Sequence, residues 1–121
     1  MHRELGKVES WRLGKEGHGI WTFDLTFKRE NGHQTFGGYA LCAPGKPDRI
    51  GSAAGMDFVI GVCAALGVED FSKLNGKTCW LLFEDKSWNS LIKGVQQLET
   101  DGNGLFLVSE WQKRWFPEQY K

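Results

Sequence analysis

Gln34-Thr35-Phe36-Gly37-Gly38-Tyr39-Ala40-Leu41, followed ten residues later by Gly51-Ser52-Ala53-Ala54-Gly55-Met56-Asp57-Phe58, decides the fold. The first block reads as a strand and the second as the start of a helix. Adjacent glycines inside an aromatic strand remove side chains where another backbone or a ligand must come close. The second pair of glycines brackets a helix start, so strand and helix are expected to pack tightly.

Upstream of this block, Trp21, Phe23, Leu25 and Phe27 alternate with Thr22, Asp24 and Thr26, the period of a strand with one buried face. Asn31-Gly32 favours a two-residue type I′ turn, because both positions tolerate positive φ. That loop pairs Glu30 with His33, Phe27 with Phe36, Leu25 with Gly38 and Phe23 with Ala40. Gly38 and Ala40 then leave a shallow groove for the helix, while the outer face carries Asp24 opposite Tyr39 and Thr22 opposite Leu41. Residues 7–13 alternate well enough for an earlier strand, joined by the glycine-rich segment from Gly14 to Gly19.

Downstream, residues 43–50 hold Pro44, Gly45 and Pro47 and read as a loop. Ser52 is the expected N-cap of a helix running to Leu66, with Met56, Val59, Ile60, Cys63 and Leu66 as its apolar face. Gly67 ends it and Val68 closes the cap with an apolar contact. Residues 69–74 suggest one more helical turn before Asn75-Gly76. Thr78 to Phe83 is a short apolar run suited to a central strand. Leu91 to Leu98 and Leu105 to Val108 form a hairpin through Asp101-Gly102-Asn103-Gly104. The tail from Ser109 to Tyr120 is either a short helix with Trp111 and Trp115 on one face or a continued strand. The expectation is an α+β fold: a single domain over residues 1–121, with an antiparallel sheet of five to six strands packed on one main helix in the order β-β-β-α-β-β-β.

Composition narrows the function classes. The chain has 121 residues, 40% hydrophobic and 25% charged, which suits one domain with its own core. Fifteen basic and fifteen acidic residues give zero net charge, which argues against a strong nucleic-acid field. No apolar run approaches a membrane span and the N-terminus lacks a signal-peptide stretch, so the expected setting is cytoplasmic. Cys42, Cys63 and Cys79 are odd in number and lack CxxC spacing, and they are expected to be reduced core residues without disulfide or metal. Six Trp and eight Phe are many for this length, and surplus aromatics point toward a binding protein.

Candidate sites follow from residue type. Gly51, Ser52 and Gly55 at a helix start, with Arg49 upstream, could hold an anion at the unpaired N–H groups, against a plainer reading as helix cap and close packing. No phosphate-loop motif accompanies them. His18, His33 and Asp24 are the only metal or acid–base candidates near the first sheet, and the two histidines fall at opposite ends of it. No catalytic, metal or cofactor site is expected. Trp111, Lys113, Arg114 and Trp115 interleave bases with aromatics and suit a partner surface, with Trp11 and Tyr39 of the outer face as further partner-binding candidates, or else the tail covers an outer-face patch of Trp11, Tyr39 and Leu41.

The Phe36–Leu41 block, the Gly51–Phe58 helix start, the Gly67–Gly76 segment and Trp115-Phe116 resemble, in order and spacing, a group of small phage and prophage accessory proteins. The resemblance spans residues 6–116 and departs after Lys93, where Gln96 to Ser109 has the look of an inserted hairpin. It implies a mobile-element setting and action by binding host machinery. The leading expectation is a stoichiometric inhibitor of a host protein or complex, such as an anti-defence protein of the anti-CRISPR kind, acting in the host cytoplasm as a monomer or homodimer. The alternative is a small-ligand or nucleotide binder, or an enzyme, using Gly51–Gly55. Nucleic acid is not favoured as partner.

Overall fold

The structure is a computed structural model that describes residues 1–17, 19–43, 50–87, 90–98 and 104–120. Strands β1 (His2–Lys15), β2 (Trp21–Arg29) and β3 (Gly32–Ala40) are followed by helix α1 (Ala53–Leu66), then by β4 (Thr78–Phe83), β5 (Gly94–Gln97), β6 (Leu105–Leu107) and helix α2 (Val108–Trp115). They form one antiparallel sheet in the order β3-β2-β1-β4-β5-β6 with both helices on one face. This is the expected α+β architecture. Alternation decides the buried face: Phe23, Leu25 and Phe27 on β2, with Cys79, Leu81 and Phe83 on β4, all point inward and are fully buried.

The first hairpin differs from its expected register. Its loop is Glu30-Asn31, and the pairs are Arg29 with Gly32, Phe27 with Gln34 and Leu25 with Phe36. Among the described residues none other than glycine has positive φ, and in this turn the positive φ falls on Gly32 at 124°. A type I′ loop, which needs positive φ at both positions, is therefore excluded. The shift moves each partner by two residues, so Phe27 and Phe36 keep the same face as diagonal neighbours.

A bulge then corrects the far end. Asp24 pairs with Gly37 while Phe23 pairs with Tyr39, leaving Gly38 as the extra residue at φ 82°. That step turns Tyr39 onto the helix-covered face, where it meets Phe58 at 5.4 Å. Trp11 pairs with Leu25 and lies on the same side, 4.8 Å from Phe71. The expected outer patch of Trp11, Tyr39 and Leu41 is thus part of the inner layer. Gly38 faces open space and lies under no helix.

Capping on α1 follows the sequence. Ser52 Oγ accepts from the Gly55 N–H at 2.9 Å, and beyond the last turn Gly67 has φ 73°. The Gly67 N–H donates to the Ala64 carbonyl and the Val68 N–H to the Cys63 carbonyl, the paired bonds of a Schellman ending. A 3-10 turn at Phe71–Lys73, capped by Asp70, supplies the extra turn. The tail resolves as helix from Val108, with Leu107 as its N-cap. The Asp101–Asn103 turn lies outside the described residues.

Candidate functional site

The seat of α1 on the sheet determines which of its sides is left uncovered. A Cβ on Gly55 would lie 2.5 Å from both the Cα and the carbonyl oxygen of Leu41, so only glycine lets the helix come this close. Ser52 adds a backbone N–H to the Leu41 carbonyl at 2.8 Å, and its hydroxyl donates to the same oxygen at 3.3 Å. With position 55 pressed to the end of β3, helical geometry sends Phe58, Val62, Ala65 and Leu66 to the sheet.

Met56 and Ile60, expected on the buried stripe, are instead 58% and 59% exposed. Cys63 is only half-buried. Among the fourteen residues of α1 only Asp57 is charged. A helix apolar on nearly all sides is normally covered on all of them, and the Met56–Ile60 side of α1 is left open.

This side of the helix borders two adjoining hollows. One of about 520 Å³ is walled by Leu13, Trp21, Leu41, Ile50, Met56 and Val59. The other, of about 450 Å³, continues past Val59 and Phe71 to Ile60 and Cys63. Trp21, the first of the alternating β2 aromatics, is 43% exposed and stands in the wall of the first hollow. The polar groups here are few. Burial raises the Cys63 thiol above its ordinary range and pushes Cys79 up to about 12, which disfavours the reactive thiolate.

The proposed anion residues meet this same hollow. Gly51, Ser52 and Gly55 line it, but the Gly55 N–H and the Ser52 hydroxyl are engaged in capping, and the surrounding walls are apolar. Arg49 and His18 lie outside the described residues. His33 sits on the opposite face, its Nε2 2.7 Å from Glu9 Oε2. Asp24 faces Arg12 there, and burial raises its carboxyl above the usual range against the pull of the Arg12 charge. Among the described residues no group of three or more His, Cys, Asp or Glu is placed to hold a metal, and no helix is long and apolar enough to cross a membrane.

The expected partner residues divide by burial. Trp111 is 5% exposed; its indole N–H donates to the Ala54 carbonyl at 2.8 Å and its ring meets Phe58 at 5.2 Å and Tyr39 at 5.3 Å. It is a core residue and no surface anchor, because α2 folds back onto α1. Tyr39 is half-buried beside it, and Trp11 is half-buried against Phe71. Trp115 stays at the surface, donating to Asp57 Oδ2 at 2.7 Å, with Arg114 Nη1 3.5 Å from the same oxygen. Lys113 is exposed beside them. What residue-type reasoning missed is the apolar side of α1. Its signal was present in the near absence of charge from position 53 to 66.

No protein-family model matches the chain, and no curated protein matches it.

Proposed function

We propose that this is a small binding protein whose exposed α1 side is covered by a protein partner, and that it acts as a phage- or mobile-element-encoded stoichiometric inhibitor of host machinery of the anti-defence, anti-CRISPR-like kind. The observation that carries the reading is the exposure of Met56 and Ile60 beside two adjoining apolar hollows. Contiguous exposed apolar surface marks interaction sites on small proteins, and methionine adapts readily to a partner's shape. Arg114 and Trp115, tied to α1 through Asp57, and the exposed Lys113 beside them give this surface the polar and aromatic border typical of an interface rim. The resemblance to phage accessory proteins supplies the setting.

The test is expression in a bacterium with active CRISPR immunity, scored by plating of a targeted phage. The expected result is restored plating, abolished by Met56→Asp with Ile60→Asp while the melting temperature holds. If the parent leaves immunity intact and no co-purifying host protein depends on Met56 and Ile60, the reading falls.

One observation favours a second reading. The 520 Å³ hollow has the size and apolar walls of a small-ligand site. Its occupant would be an apolar molecule and not a nucleotide, and native mass spectrometry of the freshly purified protein would detect it.

A further inference from the structure

The sheet face turned away from both helices carries an arrangement of cations that the fold itself does not need. Lys7 on β1 stands directly across from Lys28 on β2, with Thr78 on its other side in β4. Like charges directly opposite destabilise a sheet. Neither ammonium has an ion pair or hydrogen bond among the described residues. Four residues along β1, the Arg3 guanidinium lies 4.3 Å over the Trp80 ring. It too has no hydrogen-bond partner among the described residues. The contact holds the guanidinium against the ring and leaves its N–H groups available to an anion.

Between these cations the floor is apolar, because Leu5 pairs with Trp80. Strand rise places Arg3 about 13 Å from Lys7. The whole forms a concavity of about 680 Å³. Of the carboxylates nearby, Glu4 is held by Arg29 at 2.6 Å and Glu9 lies against His33, which leaves Glu30 at the hairpin end. The local balance is therefore positive although the chain's net charge is zero.

We propose that this face binds a short segment of single-stranded nucleic acid, with phosphates at the Lys7–Lys28 pair and at Arg3 and a base between them against Leu5 and Trp80. An acidic peptide would satisfy the cations but leave the apolar floor facing polar backbone. A single strand offers what the surface alternates: charge, flat ring, charge. This site is independent of the α1 side.

The experiment is fluorescence anisotropy of a labelled single strand of about a dozen nucleotides, titrated with the protein at several salt concentrations. Binding should weaken with salt, with a log–log slope of about −2 for three phosphate contacts at about 0.7 each. Lys7→Ser with Lys28→Ser should lower affinity at least about tenfold and reduce the slope by about 1.4. Trp80→Leu should lower affinity about fivefold or more with the slope nearly unchanged. The lysine variants should melt no lower than the parent, so that lost binding is not lost folding. The proposal is overturned by no binding at low salt, by binding that these variants leave intact, or by equal binding of duplex. Competition by an oligoglutamate peptide as effective as by unlabelled strand also overturns it, since that would mark a general anion surface. A mononucleotide competing as well as the strand would contradict the two-ended site.

Discussion

Trp111 and Trp80 lie on opposite sides of the same sheet and are held by different means. Trp111 is enclosed by Phe58 and Tyr39, with its N–H satisfied by the Ala54 carbonyl. Trp80 is half-buried on the open face, with a charged group, Arg3, over one face of its ring. One side of the sheet uses aromatic rings to fasten helices, and the other leaves ring and cations within reach of solvent. Surplus tryptophan in a sequence therefore says little about binding until the face is known. Trp111→Ala should cost about 3–5 kcal/mol, as aromatic truncations in cores do, whereas Trp80→Ala should cost well under half of that. Chemical denaturation of the two variants measures the difference, and equal losses would break the contrast between a closed and an open face.

The two glycine blocks sharpen the same contrast at the backbone. Gly55 has Leu41 backbone where a Cβ would go, and Gly38 has open space but a φ of 82°. Gly55→Ala must push the helix off β3 and should cost about 1–3 kcal/mol. Gly38→Ala meets only the strain of a left-handed conformation, roughly 1 kcal/mol. Thermal melts of both variants read the ordering. A Gly38 variant that suffers more than the Gly55 variant would mean that the bulge, and not the helix seat, organises this end of the sheet.

Acid should act in opposite directions on the two faces. Burial alone would raise Glu4, but Arg29 and His2 together draw it below the usual carboxylate value near 4.5. A depressed folded pKa contributes stability that is present above the unfolded value and is lost as the pH falls through the folded one. On the outer face, burial raises Asp24 against the opposing charge of Arg12, so protonating it on acidification favours the folded state. Glu4→Gln should therefore flatten the fall in melting temperature between neutral and acidic pH, and Asp24→Asn should steepen it. Same-sign changes in the two profiles would contradict the assignment.

How much of this was legible depended on which interaction decides each feature. The caps of α1 are local, and Ser52 and Gly67 were readable as such; so was β4, whose six residues, five of them apolar, match its bounds. The hairpin register was not, because Asn-Gly suits more than one turn and Phe36 faces the core whether it pairs with Phe27 or, as it does, with Leu25. The bulge at Gly38 carried Tyr39 to the other face, which no alternation pattern reports. The exposed side of α1 escaped because Met56 and Ile60 share the spacing of a buried stripe. The rotation of the helix is set by Gly55 against Leu41, a contact between segments separated in the chain. The cations of the outer face were likewise invisible in a net charge of zero, since strand pairing alone brings Lys7 to Lys28.

The smallest expected effect is the most diagnostic of the open face. Lys7 and Lys28 repel each other across β1 and β2 with no ion pair among the described residues to relieve them. Opposed like charges cost a sheet about 0.2–1 kcal/mol, so replacing either lysine by serine should raise stability slightly. Replacing both should gain less than the sum of the singles, because the first substitution already removes the repulsion. The coupling should also fade as salt is added, since both side chains are exposed and their interaction is screened. Urea melts of the two singles and the double, at low and high salt, measure that term. A coupling of the opposite sign, or one that ignores salt, would mean that the two ammonium groups are not opposed as the register places them, and the open face would lose the feature that sets it apart from the helix side.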